Sequence, residues 1–312
     1  MKHLLAPLAL LAARATVPAS EAGDSPQGCA GDGLYLISIR GSTELPGIGV
    51  SGTLLGTQVK DQIKGTKIVA LDYPASLSDP LYADSVVNGT KALTKLISQH
   101  VKSCPKDKIA IMGYSQGAQV AMDTVCGSDD SGFDKTAPIA SDKVENHVVA
   151  IAVFGDPTYV ANVTYNKGTS KTNGIFFRKN TNSCLKYANI ISSWCDTGDI
   201  YCARGNSSEI HSEYFGKYGS DIVKFIVDKA RRKSSSGGGG GGTSSASPTD
   251  TTTATIPGET AASTASAPTA TSTTTPTTTA TSTSAAAHGL TKGSKSLYVA
   301  LPLVLAAMFQ VL

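Results

Sequence analysis

Lys108-Ile109-Ala110-Ile111-Met112-Gly113-Tyr114-Ser115-Gln116-Gly117-Ala118-Gln119-Val120-Ala121-Met122-Asp123-Thr124-Val125 reads as a strand, a sharp turn and a helix in immediate succession. The opening run is short, apolar and uninterrupted, as in strands buried on both faces of a parallel sheet. From Gln116 to Val125 the apolar residues fall three and four apart, the spacing of a helix. Between the two stands the pentapeptide Gly113-Tyr114-Ser115-Gln116-Gly117, of the form Gly-x-Ser-x-Gly. In such a motif the serine occupies the turn, and the glycines are needed where a Cβ would strike crowded backbone. A strand before it and a helix after it make a short, common motif specific.

Working outward, Leu34 to Ile39, Lys67 to Leu71 and His147 to Phe154 are further strand candidates, with Gly174 to Phe177 as a fifth. Helical spacing marks Gly52 to Ile63 and Asp84 to Val101. A last amphipathic helix is expected over about Asp221 to Arg232, offering Ile222, Val223, Phe225, Ile226 and Ala230 to a core. Strands alternating with helices predict an α/β fold, a parallel sheet of about five strands with helices on both faces. No insertion of the length of a lid is visible.

A serine hydroxyl is a weak nucleophile until a base takes its proton and a carboxylate orients that base. In a fold of this type the order along the chain is Ser, Asp, His. His147, His211 and His288 follow Ser115. His147 opens a strand and His288 lies in a low-complexity tail, which leaves His211, on the connection before the final helix. Asp156, Asp196 and Asp199 compete for the acid. Asp199 is preferred because a small Cys195 to Cys202 ring would fix its carboxylate, whereas Asp156, before Pro157, suits a turn cap. An oxyanion needs donors. Gln116 offers the amide after the nucleophile, and Ser42, in Arg40-Gly41-Ser42-Thr43-Glu44 after the first strand, offers an amide and a hydroxyl.

Six cysteines, Cys29, Cys104, Cys126, Cys184, Cys195 and Cys202, are an even set that predicts three disulfides in an exported chain. Proximity favours Cys195 with Cys202. Paired metal-ligand spacings are missing, so neither a metal nor a cofactor is expected. Asn88, Asn162 and Asn206 each head an N-glycosylation sequon.

The chain ends extend this picture. Lys2 and His3, an apolar run from Leu4 and Ala13-Arg14-Ala15 form a signal peptide, cleaved after Ala15. The folded domain is expected over 20–233. From Ser234 to His288 the chain is rich in Ser, Thr, Ala, Pro and Gly, too poor in apolar side chains to offset the entropy of ordering, and reads as an O-glycosylated stalk. Small residues around Ser284, a polar spacer and an apolar terminus over 297–312 have the layout of a glycosylphosphatidylinositol signal, with attachment at Ser284. That terminus is short for a permanent membrane span. A net charge of +3 on 312 residues gives no reason to expect nucleic acid as a partner.

Three segments in order, Arg40 to Glu44, Gly113 to Gly117 and Cys195-Asp196-Thr197-Gly198-Asp199-Ile200-Tyr201-Cys202, resemble the cutinase and acetylxylan esterase family of small secreted α/β-hydrolases. The resemblance runs from about Cys29 to the final helix. It implies Ser115 as nucleophile, Asp199 as acid, His211 as base and Ser42 with Gln116 as oxyanion hole. It also implies Cys29 to Cys104 and Cys195 to Cys202 bridges, with Cys126 to Cys184 as in the acetylxylan esterase branch. Phe154-Gly155-Asp156-Pro157, Tyr165-Asn166-Lys167-Gly168 and Tyr201 resemble that branch more than the cutinases. Tyr114 and Tyr201 are then expected at the substrate, Tyr201 as a wall that shortens the acyl pocket. The expected partner is an ester, acetylated xylan or alternatively cutin, met by a monomer whose only membrane contact is its lipid anchor. The rival from another class is a wall-anchored structural or adhesive protein without activity.

Overall fold

The computed structural model describes residues 23–129 and 133–236. The expected signal peptide, most of the stalk and the lipid-attachment signal with Ser284 lie outside the described residues. Among the described residues no helix is long and apolar enough to cross a membrane.

The strands are β1 (Leu34–Ile39), β2 (Lys67–Ala70), β3 (Lys108–Tyr114), β4 (Val148–Phe154), β5 (Asn166–Lys167) and β6 (Ile191–Trp194). They form one sheet in the order β2-β1-β3-β4-β6-β5, with every neighbouring pair parallel. The first helical stretch, α1, passes through Gly49–Ser51, a π-helical Gly52–Gly56 and Thr57–Gln62. It is followed by α2 (Tyr82–Ser103), α3 (Gln116–Cys126), α4 (Ser141–His147), α5 (Asn182–Leu185), α6 (Ser208–Ser212) and α7 (Tyr214–Ser236).

Alternation of side chains along each strand divides the core in two. Tyr35, Ile37, Ile39, Ile109, Ile111, Ile151 and Val153 face α2 and α3, meeting Val86, Leu93, Ile97, Val120 and Val125. Leu34, Leu36, Ala110, Met112, Ala150, Ala152 and Phe154 face α1 and α7, meeting Leu55, Val59, Ile222, Val223 and Ile226. Burial on both faces is why these strands read as continuous apolar runs.

Two expectations, one about the sheet and one about the last helix, are corrected. Gly174 to Phe177 is not a strand: its amides donate outward to three separate carbonyls, Gly174 to Tyr159, Ile175 to Tyr201 and Phe176 to Pro157. The place is taken by β6, Ile191-Ser192-Ser193-Trp194, in which both serines are buried. The last helix also begins earlier than expected, at Tyr214, because Tyr214 is a core residue and Phe215 packs against Phe154.

Cys29–Cys104, Cys126–Cys184 and Cys195–Cys202 are bonded. A buried charge ties the loop after Phe177 to α3. Arg178 pairs with Asp123 at 2.6 Å and donates to the Gly127 carbonyl and to Thr158 Oγ1. Truncating it strands the Asp123 carboxylate in the interior, which costs far more than losing a surface pair. Arg178→Ala is therefore expected to lower stability by about 3–5 kcal/mol in urea unfolding; a loss under about 1 kcal/mol would show that the pair is not a structural tie.

Candidate active site

Ser115 stands between β3 and α3 with φ 54° and ψ −118°, backbone that few residues other than glycine adopt. Its amide donates to the Phe154 carbonyl of β4 at 3.0 Å. A Cβ on Gly117 would collide with the Ile39 and Arg40 carbonyl oxygens, so only glycine lets α3 start this close to β1. The turn therefore lifts the Ser115 side chain above the carboxyl ends of three adjacent strands.

His211 Nε2 lies 2.9 Å from Ser115 Oγ, and His211 Nδ1 lies 2.8 Å from Asp199 Oδ2. The histidine stands not on an open loop but in α6, one turn of helix whose amide at Ile210 is capped by the Ser207 hydroxyl. Its ring passes over Gly155, where a Cβ would come 2.6 Å from His211 Cε1. Tyr114 and Tyr201 flank it. Tyr114 stacks at 5.2 Å, and Tyr201 meets it edge-on at 4.6 Å between ring centres.

Asp199 is fully buried, and four donors surround its carboxylate. Oδ1 accepts from the Tyr201 and Cys202 amides at 2.7 and 2.9 Å, so the disulfide ring itself grips it. Oδ2 accepts from the Tyr214 hydroxyl at 2.8 Å and faces His211 Nδ1. Burial pushes the carboxyl up, but the hydrogen bond and charge of His211, the Cys202 amide and the Tyr214 hydroxyl outweigh it and hold it below the ordinary carboxylate value. Burial, then the Asp199 charge, push the Tyr214 hydroxyl far up, so it stays a proton donor.

The competing carboxylates are engaged elsewhere. Asp196, in the same ring, accepts from Thr169 and Tyr218 and pairs with Lys217 at 2.7 Å. Asp156 accepts from the Thr158 amide and hydroxyl, a turn cap. His147 ends α4, ahead of β4 rather than in it. Ser42 and Gln116 are brought together, with Gln116 Nε2 3.2 Å from Ser42 Oγ. As the first residue of α3, Gln116 has an amide without an intrahelical acceptor. Tyr114, also expected at the substrate, is half-buried, and its hydroxyl donates to the His211 carbonyl at 3.1 Å. Tyr201 is 37% exposed and stands beside the His211 ring.

The cutinase family model matches residues 29–230, a span that takes in the sheet, the elbow, the ring and His211. The chain belongs to the cutinase family. Among its relatives, acetylxylan esterase 2 of Talaromyces purpureogenus is 32% identical over 203 residues, covering 63% of this chain and 86% of that one. Cutinase 11 of Verticillium dahliae is 33% identical over 227 residues, covering 70% and 75%. The catalytic core domain of an acetyl xylan esterase from Trichoderma reesei superposes with a TM-score of 0.59 at 34% identity, covering 64% of this chain and 98% of that structure. These relatives are carboxylic ester hydrolases by name, and this member of the cutinase family is an enzyme of that class.

Tyr214, Gly155 and the Gln116 side chain were not singled out from sequence. Tyr214 tests the electrostatics of the site. The stability that Asp199 contributes by ionising is present above its unfolded value of about 4 and lost as pH falls through its lower folded value. Tyr214→Phe removes one donor and raises that folded value. Acid unfolding followed by Trp194 fluorescence is expected to shift to higher pH in the variant; a shift to lower pH, or none, would contradict the role given to the hydroxyl.

Proposed function

We propose that the protein is a secreted, surface-anchored serine carboxylesterase that removes acetyl groups from acetylated xylan. The observation that carries the reaction is the line Ser115 Oγ, His211, Asp199, with contacts of 2.9 and 2.8 Å. His211 takes the proton of Ser115 as its oxygen attacks the ester carbonyl. The tetrahedral oxyanion accepts from the Gln116 amide and Ser42. Collapse breaks the bond to the alcohol, which leaves with the proton from His211, and an acyl group remains on Ser115. Water then gives a proton to His211 and attacks the acyl carbon; collapse of this second tetrahedral intermediate breaks the bond to Ser115 Oγ, which takes the proton back from His211 as the acid leaves. Asp199 stays ionised throughout and holds the Nδ1 proton.

For the acyl group, Tyr201 supports acetate, because an aromatic ring beside His211 narrows the space where a chain would lie. The acetylxylan esterase names of two relatives point the same way. The cutinase reading draws on the Verticillium relative and on exposed Leu45 and Leu81, 72% and 64% accessible, on the loops next to Ser42 and α2. Export, the Ser/Thr-rich stalk over 234–288 and lipid attachment at Ser284 complete the proposal. Asn88, Asn162 and Asn206 all lie exposed on the domain surface, where glycans can be added.

Ser115→Ala is expected to lower kcat on p-nitrophenyl acetate at least about a thousandfold; retained activity in the variant would overturn the serine mechanism, and a parent protein without activity would favour an idle adhesive domain. On substrates, acetate release from acetylated xylan together with a decline from acetyl to longer nitrophenyl esters is expected. Faster turnover of long chains without acetate release would replace the xylan reading with the cutinase one.

A further inference from the structure

Buried behind the elbow, Gln116, Ser85 and the main chain of Ser76 form a closed set of hydrogen bonds. Ser85, on α2, and the Gln116 side chain are both fully buried. The Ser76 amide donates to Ser85 Oγ at 3.0 Å, and Ser85 Oγ lies 2.8 Å from Gln116 Oε1. Gln116 Nε2 lies 2.9 Å from the Ser76 carbonyl and 3.2 Å from Ser42 Oγ.

Two main-chain groups fix every proton in this set. A carbonyl can only accept, so the nitrogen end of the Gln116 amide must face Ser76; the reverse orientation would set two oxygens against each other. The amide oxygen then faces Ser85. An N–H can only donate, so Ser85 Oγ accepts from Ser76 and gives its own proton to Gln116 Oε1. The second Nε2 proton goes to Ser42 Oγ. That hydroxyl is therefore an acceptor on its inner side, and its single proton is left for the open side, where the oxyanion forms. The loops that carry these groups are tied independently: the Thr43 amide donates to the Ala75 carbonyl at 2.8 Å, and Arg40 donates to the carbonyls of Tyr73 and Pro74.

We propose that Ser85 is a positioning residue for ester hydrolysis: through Gln116 it sets the direction of the Ser42 hydroxyl, making Ser42 Oγ an oxyanion donor. This rests on the serine-esterase reading above. In the resting enzyme the hydroxyl already points outward, so the oxyanion meets a donor that needs no reorientation.

A double-mutant cycle on the full chain tests it, with Ser115→Ala measured in parallel. Ser85→Ala is expected to lower kcat on p-nitrophenyl acetate about tenfold with KM little changed, a fraction of what losing a whole oxyanion donor costs. In a Ser42→Ala background, itself slower, Ser85→Ala is expected to cost nothing further. An equal loss in both backgrounds would show that Ser85 only supports the fold, and an unchanged kcat in Ser85→Ala or in Ser42→Ala would also overturn the proposal. An inactive Ser115→Ala beside an additive cycle removes this inference alone, whereas an active Ser115→Ala removes the mechanism under it. If Ser85→Ala does not fold, Ser85→Cys, which fills the same space with a weaker donor, is carried through the same cycle with the same direction of effect expected.

Discussion

The backbone of Ser115 governs the rest of the structure. An L residue at φ 54° is held there only when its surroundings leave no alternative. Here the Ser115 amide is committed to Phe154 on β4, and Gly117 is pressed against the end of β1. The elbow can form only with β3 between β1 and β4, and the sheet order places it there. The neighbours then supply the rest: the loop after β1 brings Ser42, and Gly155 after β4 lets the His211 ring come close.

The second determinant is the small disulfide ring. Two amides of the ring hold Asp199 on one oxygen, while His211 and Tyr214 take the other. A buried carboxylate is costly unless its hydrogen-bonding capacity is filled. Those four donors make an ionised Asp199 tolerable where it is fully enclosed, and they fix the His211 tautomer with its Nε2 free to face Ser115. Asp196, three residues away in the same ring, instead pairs with Lys217 near the surface. Ring geometry, more than residue type, separates their parts.

Much of this was legible in the sequence because the decisive features are local. The strand, turn and helix around Ser115 show in eighteen consecutive residues of sequence, and the ring announces itself by two cysteines about Asp199. The strands buried on both faces were readable as apolar runs. β6 was not, since Ser192 and Ser193 break the run and become acceptable only once the sheet encloses them. Gly174 to Phe177 looked like a strand by composition, yet its amides are claimed by other loops. The start of α7 was hidden by Gly216 and Gly219. Contacts between distant segments left no local trace at all: Tyr214 on Asp199, Arg178 on Asp123, and Gln116 bridging Ser85 to Ser42.

The account depends on Ser115 being a nucleophile that the elbow makes reactive. The most direct measurement is labelling by an alkyl phosphonate ester, followed by intact mass and peptide mapping. One equivalent added per protein, located on Ser115 and accompanied by loss of esterase activity, is the predicted result. Labelling at another residue, or full inactivation with Ser115 unmodified, would contradict it.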